Sequence, residues 1–184
     1  MKSRKIIAGI DEVGRGSLIG SVYSSAVVFY NDILISNLAD SKKISSKKRS
    51  YLANTILKRA AAVSIGIASR DEIDALNIHH ATLLSMKRAI DNLPIKVDLL
   101  LIDGKYAPDT DIETRTIIQG DKLIKQISAA SIIAKVARDN EMLFIDKKLE
   151  QYNFSKNKGY GTNHHLSALA YFGKTIYHRE SFIK

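Results

Sequence analysis

Cysteine is absent from the chain, which excludes a disulfide framework and a thiolate metal site and is compatible with a reducing cytosol. Any bound metal must use oxygen or imidazole ligands. Proline occurs only twice, so little interrupts regular structure. Nowhere do about 18 apolar residues run together, which removes a transmembrane helix. The basic start Met1-Lys2-Ser3-Arg4-Lys5 leads into an apolar run over 6–10 that is too short for a secretion signal and closes on Asp11-Glu12. Export is not expected, and a cytoplasmic location is. Internal repeats and low-complexity linkers are also missing.

What is present suits one folded domain over residues 1–184: 45% of the residues are hydrophobic and 26% charged. The 28 Lys and Arg residues outnumber the 19 Asp and Glu residues, leaving a net charge of +9. That excess favours a polyanionic partner through phosphate contacts and counterion release, although a lysine-rich solvated surface carries the same charge. A monomer is the default expectation.

The apolar pattern predicts strands over 6–10 and 22–30, arranged like a hairpin around a Gly-rich turn. Ser45 is placed to cap a helix from 46 to about 60, and 63–68 predicts another short strand. Ser69-Arg70-Asp71-Glu72 fits a capping box opening a helix through Ile73, Leu76, Leu83 and Ile90, with a break near Asn77. Strands are predicted over 97–102, ending at Asp103, and over 115–119, before Gly120-Asp121. The spacing of Ile124, Ile127, Ile132, Val136 and Leu143 then predicts extended helix to about residue 152, with a loop over 159–162. Strands early and helices late indicate an α/β sheet with a helical tail.

Four acids, Asp11, Glu12, Asp103 and Asp121, each end or directly follow a predicted strand. Strand ends are where side chains from distant parts of an open α/β sheet converge. Converging carboxylates raise one another's pKa unless a cation neutralises them, and Mg²⁺ or Mn²⁺, which prefer oxygen ligands, are the natural choice. Adjacent strand residues point to opposite faces, so for Asp11 and Glu12 to share a site the pleat must break, and Val13-Gly14-Arg15-Gly16 offers the backbone freedom to do so. Asp103 or Asp121 taken alone reads rather as a turn cap; the four together argue for a site. A dinucleotide-binding turn at 14–20 fails, because strand rather than helix follows and two carboxylates precede the glycines.

The chain resembles the ribonuclease HII family in Ile10-Asp11-Glu12-Val13-Gly14-Arg15-Gly16, Asp40-Ser41-Lys42-Lys43, Leu76-Asn77-Ile78, Leu101-Ile102-Asp103-Gly104 and Gly120-Asp121. The likeness continues through the run from Ala129 to Asp139, Lys158-Gly159-Tyr160-Gly161-Thr162, His165, and His178-Arg179-Glu180-Ser181-Phe182, in the family's order. The resemblance implies a ribonuclease H-like α/β fold, a mixed central sheet flanked by helices, with a C-terminal helical extension from about residue 140. It also implies an endoribonuclease acting on the RNA strand of RNA–DNA hybrids and 5′ of ribonucleotides embedded in duplex DNA. Asp11, Glu12, Asp103 and Asp121 would hold two Mg²⁺ or Mn²⁺ ions for in-line hydrolysis, leaving 3′-hydroxyl and 5′-phosphate ends.

By the same resemblance, Gly14, Arg15 and Gly16 would reach the ribose 2′-hydroxyl through main-chain groups, and Tyr160 would pack on the sugar. Apart from the motif, Tyr160 reads as an ordinary half-buried tyrosine. Lys42, Lys43, Asn77, Lys135, Arg138 and Lys158 would contact the nucleic-acid backbone, with Asn77 equally readable as a cap at a helix break. The pairs His79-His80 and His164-His165 do not suit zinc, since neighbouring positions rarely face one ion; His165 is given a supporting role. Ser17, Ser21 and Gly161 stand where the family usually has proline, so looser loops are expected. The chain stops at Lys184, and no C-terminal tail for a clamp or partner is expected. The alternative is a non-catalytic basic module that holds hybrid duplexes, for which four acids in the groove would have no use.

Overall fold

A computed structural model describes residues 5–30, 38 and 45–183. Strand β1 (Ile7–Val13) pairs antiparallel with β2 (Val22–Val28), which pairs antiparallel with β3 (Ala62–Ala68). On its other edge β1 runs parallel to β4 (Leu99–Asp103), and β4 parallel to β5 (Thr114–Ile117). The order β3-β2-β1-β4-β5 makes a mixed sheet with β1 at its centre.

Side-chain alternation along β1 divides the core in two. Ala8 and Ile10 join Ala26, Val28, Leu100 and Ile102 beneath Met86, Ala89 and Ile90 of helix α2 (Arg70–Asp91). The opposite face meets helices α1 (Ser46–Arg59) and α4 (Lys125–Asp146), where Val27 packs with Leu52, Ala53, Ile56, Ala129, Ala130, Ile132 and Ile133. The sheet is thus covered on both sides, as its apolar central strands require. Between β5 and α4 lies the short helix α3 (Gly120–Leu123).

Local signals act where the sequence places them. Ser45 accepts from Lys48 N–H at 3.3 Å to start α1. Ser69 and Glu72 form the reciprocal capping box of α2, and Arg88 grips Glu72 through two nitrogens at 2.7 and 2.8 Å. The hydrogen bonds from Arg88 hold the Glu72 carboxyl down at about 2. Within α2, Asn77 takes φ 66 and ψ 165, and its amide oxygen accepts from the N–H groups of His79 and His80. It ends one helical segment and caps the next.

Three expectations need correction. The β1–β2 register runs unbroken from Ala8↔Val28 to Val13↔Tyr23, so no pleat break separates Asp11 from Glu12. Strand β5 stops at Ile117, and Asp121 is the second residue of α3, reached through Gln119 in the left-handed region at φ 57. Helix α4 ends at Asp146 rather than near 152. A separate 3₁₀ turn, Glu150–Tyr152, follows it, along with α5 (Phe154–Asn157) and α6 (Asn163–Phe172). The chain bends there to bury Tyr152 and Phe154 with Ile19, Met142, Ile145 and Ala168 in a third apolar cluster. That cluster binds the C-terminal segment to the loop after β1.

Helix α4 lies directly on β1, because a Cβ added at Gly9 would overlap the backbone of Gln126 and Ile127. Only glycine allows this approach, and it determines how far α4 stands from the end of β1. Gly9→Ala should therefore push α4 outward and destabilise the fold by about 1–3 kcal/mol or more, the range for overpacked cores. Chemical denaturation would measure this, and unchanged stability would contradict the packing described.

Candidate active site

The C-terminal ends of β1 and β4 open into a cleft of about 310 Å³ whose wall includes Asp11, Glu12 and Asp103. Asp11 and Asp103 lie on the α4 face of neighbouring parallel strands, one position beyond the Ile10↔Ile102 pair. Glu12 belongs by alternation to the other face. β1 outruns its pairing with β4 at that point, so the longer Glu12 side chain reaches the cleft around an open edge. Chain overhang thus replaces the pleat break that the sequence suggested.

Asp121 is placed differently. Its side chain is buried and the residue is not on the cleft wall, but its N–H donates to Asp103 Oδ1 at 3.4 Å. The Ser128 hydroxyl donates to the Asp121 carbonyl, tying α4 to α3. The structure therefore gathers three of the four expected acids on one cleft and sets the fourth beside Asp103.

The electrostatics are those of crowded carboxylates. Burial pushes the Asp11 carboxyl well above its usual range, the negative charges of Glu12 and Asp103 add to this, and a Ser131 hydrogen bond opposes it. Glu12 is also raised, chiefly by burial, against the counteracting Arg15, whose guanidinium lies 3.6 Å away. Among the described residues no three acidic or imidazole groups stand close enough to hold an ion as they are. The donor set nonetheless fits a hard divalent cation: it offers carboxylate oxygens only, with Asp11 sheltered from water and disfavoured as a lone anion.

Cations surround the acids. Arg49 of α1 and Lys135 of α4 line the same cleft, and both pair with Asp139, at 3.6 and 2.7 Å. Ser131 and Lys135, one helical turn apart, present one face of α4 to the acids. Arg49 and Ser131 were not singled out from the sequence, although Ser131 lies in a motif that was; nothing in its local pattern marks Arg49.

Across the cleft, Tyr160 is 37% exposed and lines the wall. Gly16 faces it, with an added Cβ falling 3.8 Å from Tyr160 Cε1. The loop of Gly14, Arg15 and Gly16 and the tyrosine therefore flank the acids. Lys158 is half-buried in a hollow that also touches Arg49 and Asp139. Lys42 and Lys43, with Asp40 and Ser41, lie outside the described residues, and Asn77 is exposed on α2.

Arg138 requires correction as a backbone contact. It is fully buried, and its guanidinium donates to the Lys158 carbonyl at 2.9 Å and to Ser17 Oγ at 2.6 Å. It is an internal brace beneath Tyr160, with its guanidinium carbon 5.6 Å from the ring centre, and has no surface to offer a phosphate. The looser loops expected at Ser17 and Ser21 have anchors of another kind. Ser17 Oγ also donates to the Ile19 carbonyl at 3.0 Å, and Ser21 Oγ donates to Glu141 at 2.9 Å.

His165 supports Tyr160 through a relay. The N–H of Thr175 donates to His178 Nδ1 at 2.9 Å, the two Nε2 atoms of His178 and His165 meet at 3.1 Å, and His165 Nδ1 lies 3.0 Å from the Tyr160 carbonyl. One assignment satisfies all three contacts: both rings neutral, His178 donating to His165, and His165 donating to the carbonyl. Burial, followed by the neighbouring His165, holds His178 down at about 4, and burial also lowers His165.

A mixed sheet in this order, flanked by helices and with acids at the ends of adjacent central strands, is the ribonuclease H-like fold. The same fold occurs in Archaeoglobus fulgidus RNase HII, solved in a complex with PCNA, with a TM-score of 0.82 at 24% identity over 97% of this chain and 96% of that one. Bst-RNase HIII in complex with Mn²⁺ matches with a TM-score of 0.67 at 16% identity over 92% of this chain and 70% of that one. The Ribonuclease HII family model matches residues 8–184. Ribonuclease HII of Coxiella burnetii (strain Dugway 5J108-111) is 51% identical over 180 residues, covering 98% of this chain and 89% of the relative. The chain belongs to the ribonuclease HII family and is a ribonuclease H.

The histidine relay has a pH signature. A free histidine protonates near 6.5, whereas His178 in the fold does so at about 4. The unfolded chain therefore takes up this proton first, and stability falls as pH drops from about 6.5 towards 4. Thermal melts of His178→Gln should show a shallower decline over that window and a lower melting temperature at pH 7. An equally steep acid limb in the variant would count against the relay.

Proposed function

We propose that this protein hydrolyses the RNA strand of RNA–DNA hybrids and cuts on the 5′ side of ribonucleotides embedded in duplex DNA, leaving 3′-hydroxyl and 5′-phosphate ends. The observation that carries this reading is the buried Asp11 carboxylate beside Glu12 and Asp103 in a cleft rimmed by Arg49 and Lys135. Family membership and the Mn²⁺ in the HIII relative support metal dependence. Asp11, Glu12, Asp103 and Asp121 would hold two Mg²⁺ or Mn²⁺ ions, which when bound supply activation of the attacking water and charge neutralisation at the leaving 3′-oxygen.

The chain's own residues position the strand. Lys135 and Arg49 attract the phosphates bracketing the cut and offset the acid charge that would otherwise repel them. Lys42, Lys43 and Lys158 extend this contact along the backbone, and the exposed amide NH₂ of Asn77 adds a neutral donor. Main-chain N–H groups of Arg15 and Gly16 face the ribose hydroxyl, the one group separating RNA from DNA at a single position. The Tyr160 ring packs on the sugar, excluding water from the reacting face. Residues 1–184 act as one catalytic domain, a monomer in the cytoplasm, with the segment after α4 holding Tyr160 in place.

A labelled DNA duplex with one internal ribonucleotide, incubated with Mg²⁺ or Mn²⁺, tests the proposal. We expect a single cut 5′ of the ribonucleotide, none in the all-deoxy duplex, and none after chelation. Asp11→Asn should lower the rate by at least about a hundredfold, a typical loss for a preorganised electrostatic group, while the variant remains folded by circular dichroism. Binding without scission would support a duplex-holding module instead, and near-normal turnover in Asp11→Asn would overturn the site assignment.

A further inference from the structure

Arg138 and Arg179 head the fully buried side chains by volume, and among the described residues no carboxylate oxygen lies within ion-pair distance of either. Arg179 is satisfied by main-chain oxygens, all from the loop after β1. Its Nε donates to the Gly20 carbonyl at 2.9 Å and its Nη1 to that of Arg15 at 2.9 Å. Nη2 is shared between the carbonyls of Gly14, at 2.8 Å, and Ser21, at 3.3 Å. The Phe182 ring lies 5.1 Å from the guanidinium carbon. Burial, and then repulsion from Arg138, brings Arg179 down to about 10, so it stays charged at neutral pH.

This grip has a directional consequence. In a planar peptide the C=O and N–H point opposite ways, so carbonyls of Gly14 and Arg15 drawn towards Arg179 turn the N–H groups of Arg15 and Gly16 away from it. The turn itself closes with Ser17 N–H on the Gly14 carbonyl at 3.3 Å, a bond that leaves those two N–H groups outside it. Gly14 sits at φ 97, and a Cβ there would overlap Arg138 Nε. The loop is thus clamped from below by two arginines, with Gly16 facing Tyr160.

We propose that Arg179 is a specificity-determining positioning residue: by holding the Gly14 and Arg15 carbonyls it aims the Arg15 and Gly16 N–H groups, and so sets how sharply the cleft separates a ribonucleotide from a deoxyribonucleotide. This rests on the reading that the loop meets the ribose hydroxyl. Lysine cannot substitute, because a single ammonium cannot reach four carbonyls that a planar fork spans.

The test compares wild type, Arg179→Lys and Arg179→Met on a duplex with one internal ribonucleotide and on its all-deoxy counterpart. Arg179→Lys keeps the charge in the interior and is the deciding variant should Arg179→Met lose its fold. For Arg179→Lys we expect kcat on the ribonucleotide duplex to fall at least about tenfold. Its Kd for the all-deoxy duplex, determined by phosphate contacts, should change less than about twofold. Amide hydrogen exchange read by mass spectrometry should quicken over residues 14–17 while β1 stays protected. Wild-type kcat in Arg179→Lys, or kcat and duplex binding lost in equal proportion, overturns the proposal. Should the wild-type protein fail to cut, the functional reading fails, while the exchange measurement still decides whether Arg179 holds the loop.

Discussion

Asp11 carries a carboxyl group into the interior beside two others, and the rest of the structure is arranged around that repulsion. A buried carboxylate next to like charges is disfavoured as an anion, and the fold keeps it there because the sheet leaves it nowhere else to go. β1 is the central strand, hydrogen-bonded on both sides up to Ile10, and α4 rests on Gly9 at backbone contact. Asp11 and Asp103 therefore stand side by side as a result of register. Interactions elsewhere in the core hold the acids together, and their oxygen-only donor set suits a hard cation.

The positive charges divide into two groups with different work. Arg49 and Lys135 line the cleft, where both pair with Asp139. Arg138 and Arg179 are sealed inside, their charge met by carbonyl and hydroxyl oxygens of the loop and of Lys158. A guanidinium suits this role because its donors lie in one plane and can meet several carbonyls at once. The +9 net charge thus overstates the surface available for binding, since part of it is internal scaffolding.

The C-terminal segment serves the site from behind. His165 and His178 hold the Tyr160 carbonyl, Arg179 holds the Gly14 and Arg15 carbonyls, and Tyr152 and Phe154 seal both against Ile19 and Met142. The two walls that flank the acids are therefore secured by residues more than a hundred positions from β1. Where Ser17 and Ser21 replace the stiffness that proline would give, hydrogen bonds to Arg138 and Glu141 take over: the restraint comes from tertiary contacts instead of a fixed φ.

Much of this was legible in the chain itself. Apolar and β-branched runs placed the strands, Ser45 and the Ser69-Glu72 box placed helix starts, Asn77 marked the break in α2, and acids at strand ends pointed to the cleft, because these depend on near neighbours in sequence. Other features depend on contacts that no local pattern encodes. The overhang of β1 past β4 brings Glu12 round without a pleat break, and Asp121 sits on a short helix instead of a strand end. The helical pattern of Ala129 to Asp139 locates Arg138 on α4, but whether a charge on that helix faces water or the interior depends on what folds over it. Here the segment from Tyr152 to Phe182 covers it, so that only the assembled fold could turn Arg138, an apparent surface arginine, into a buried support of a loop.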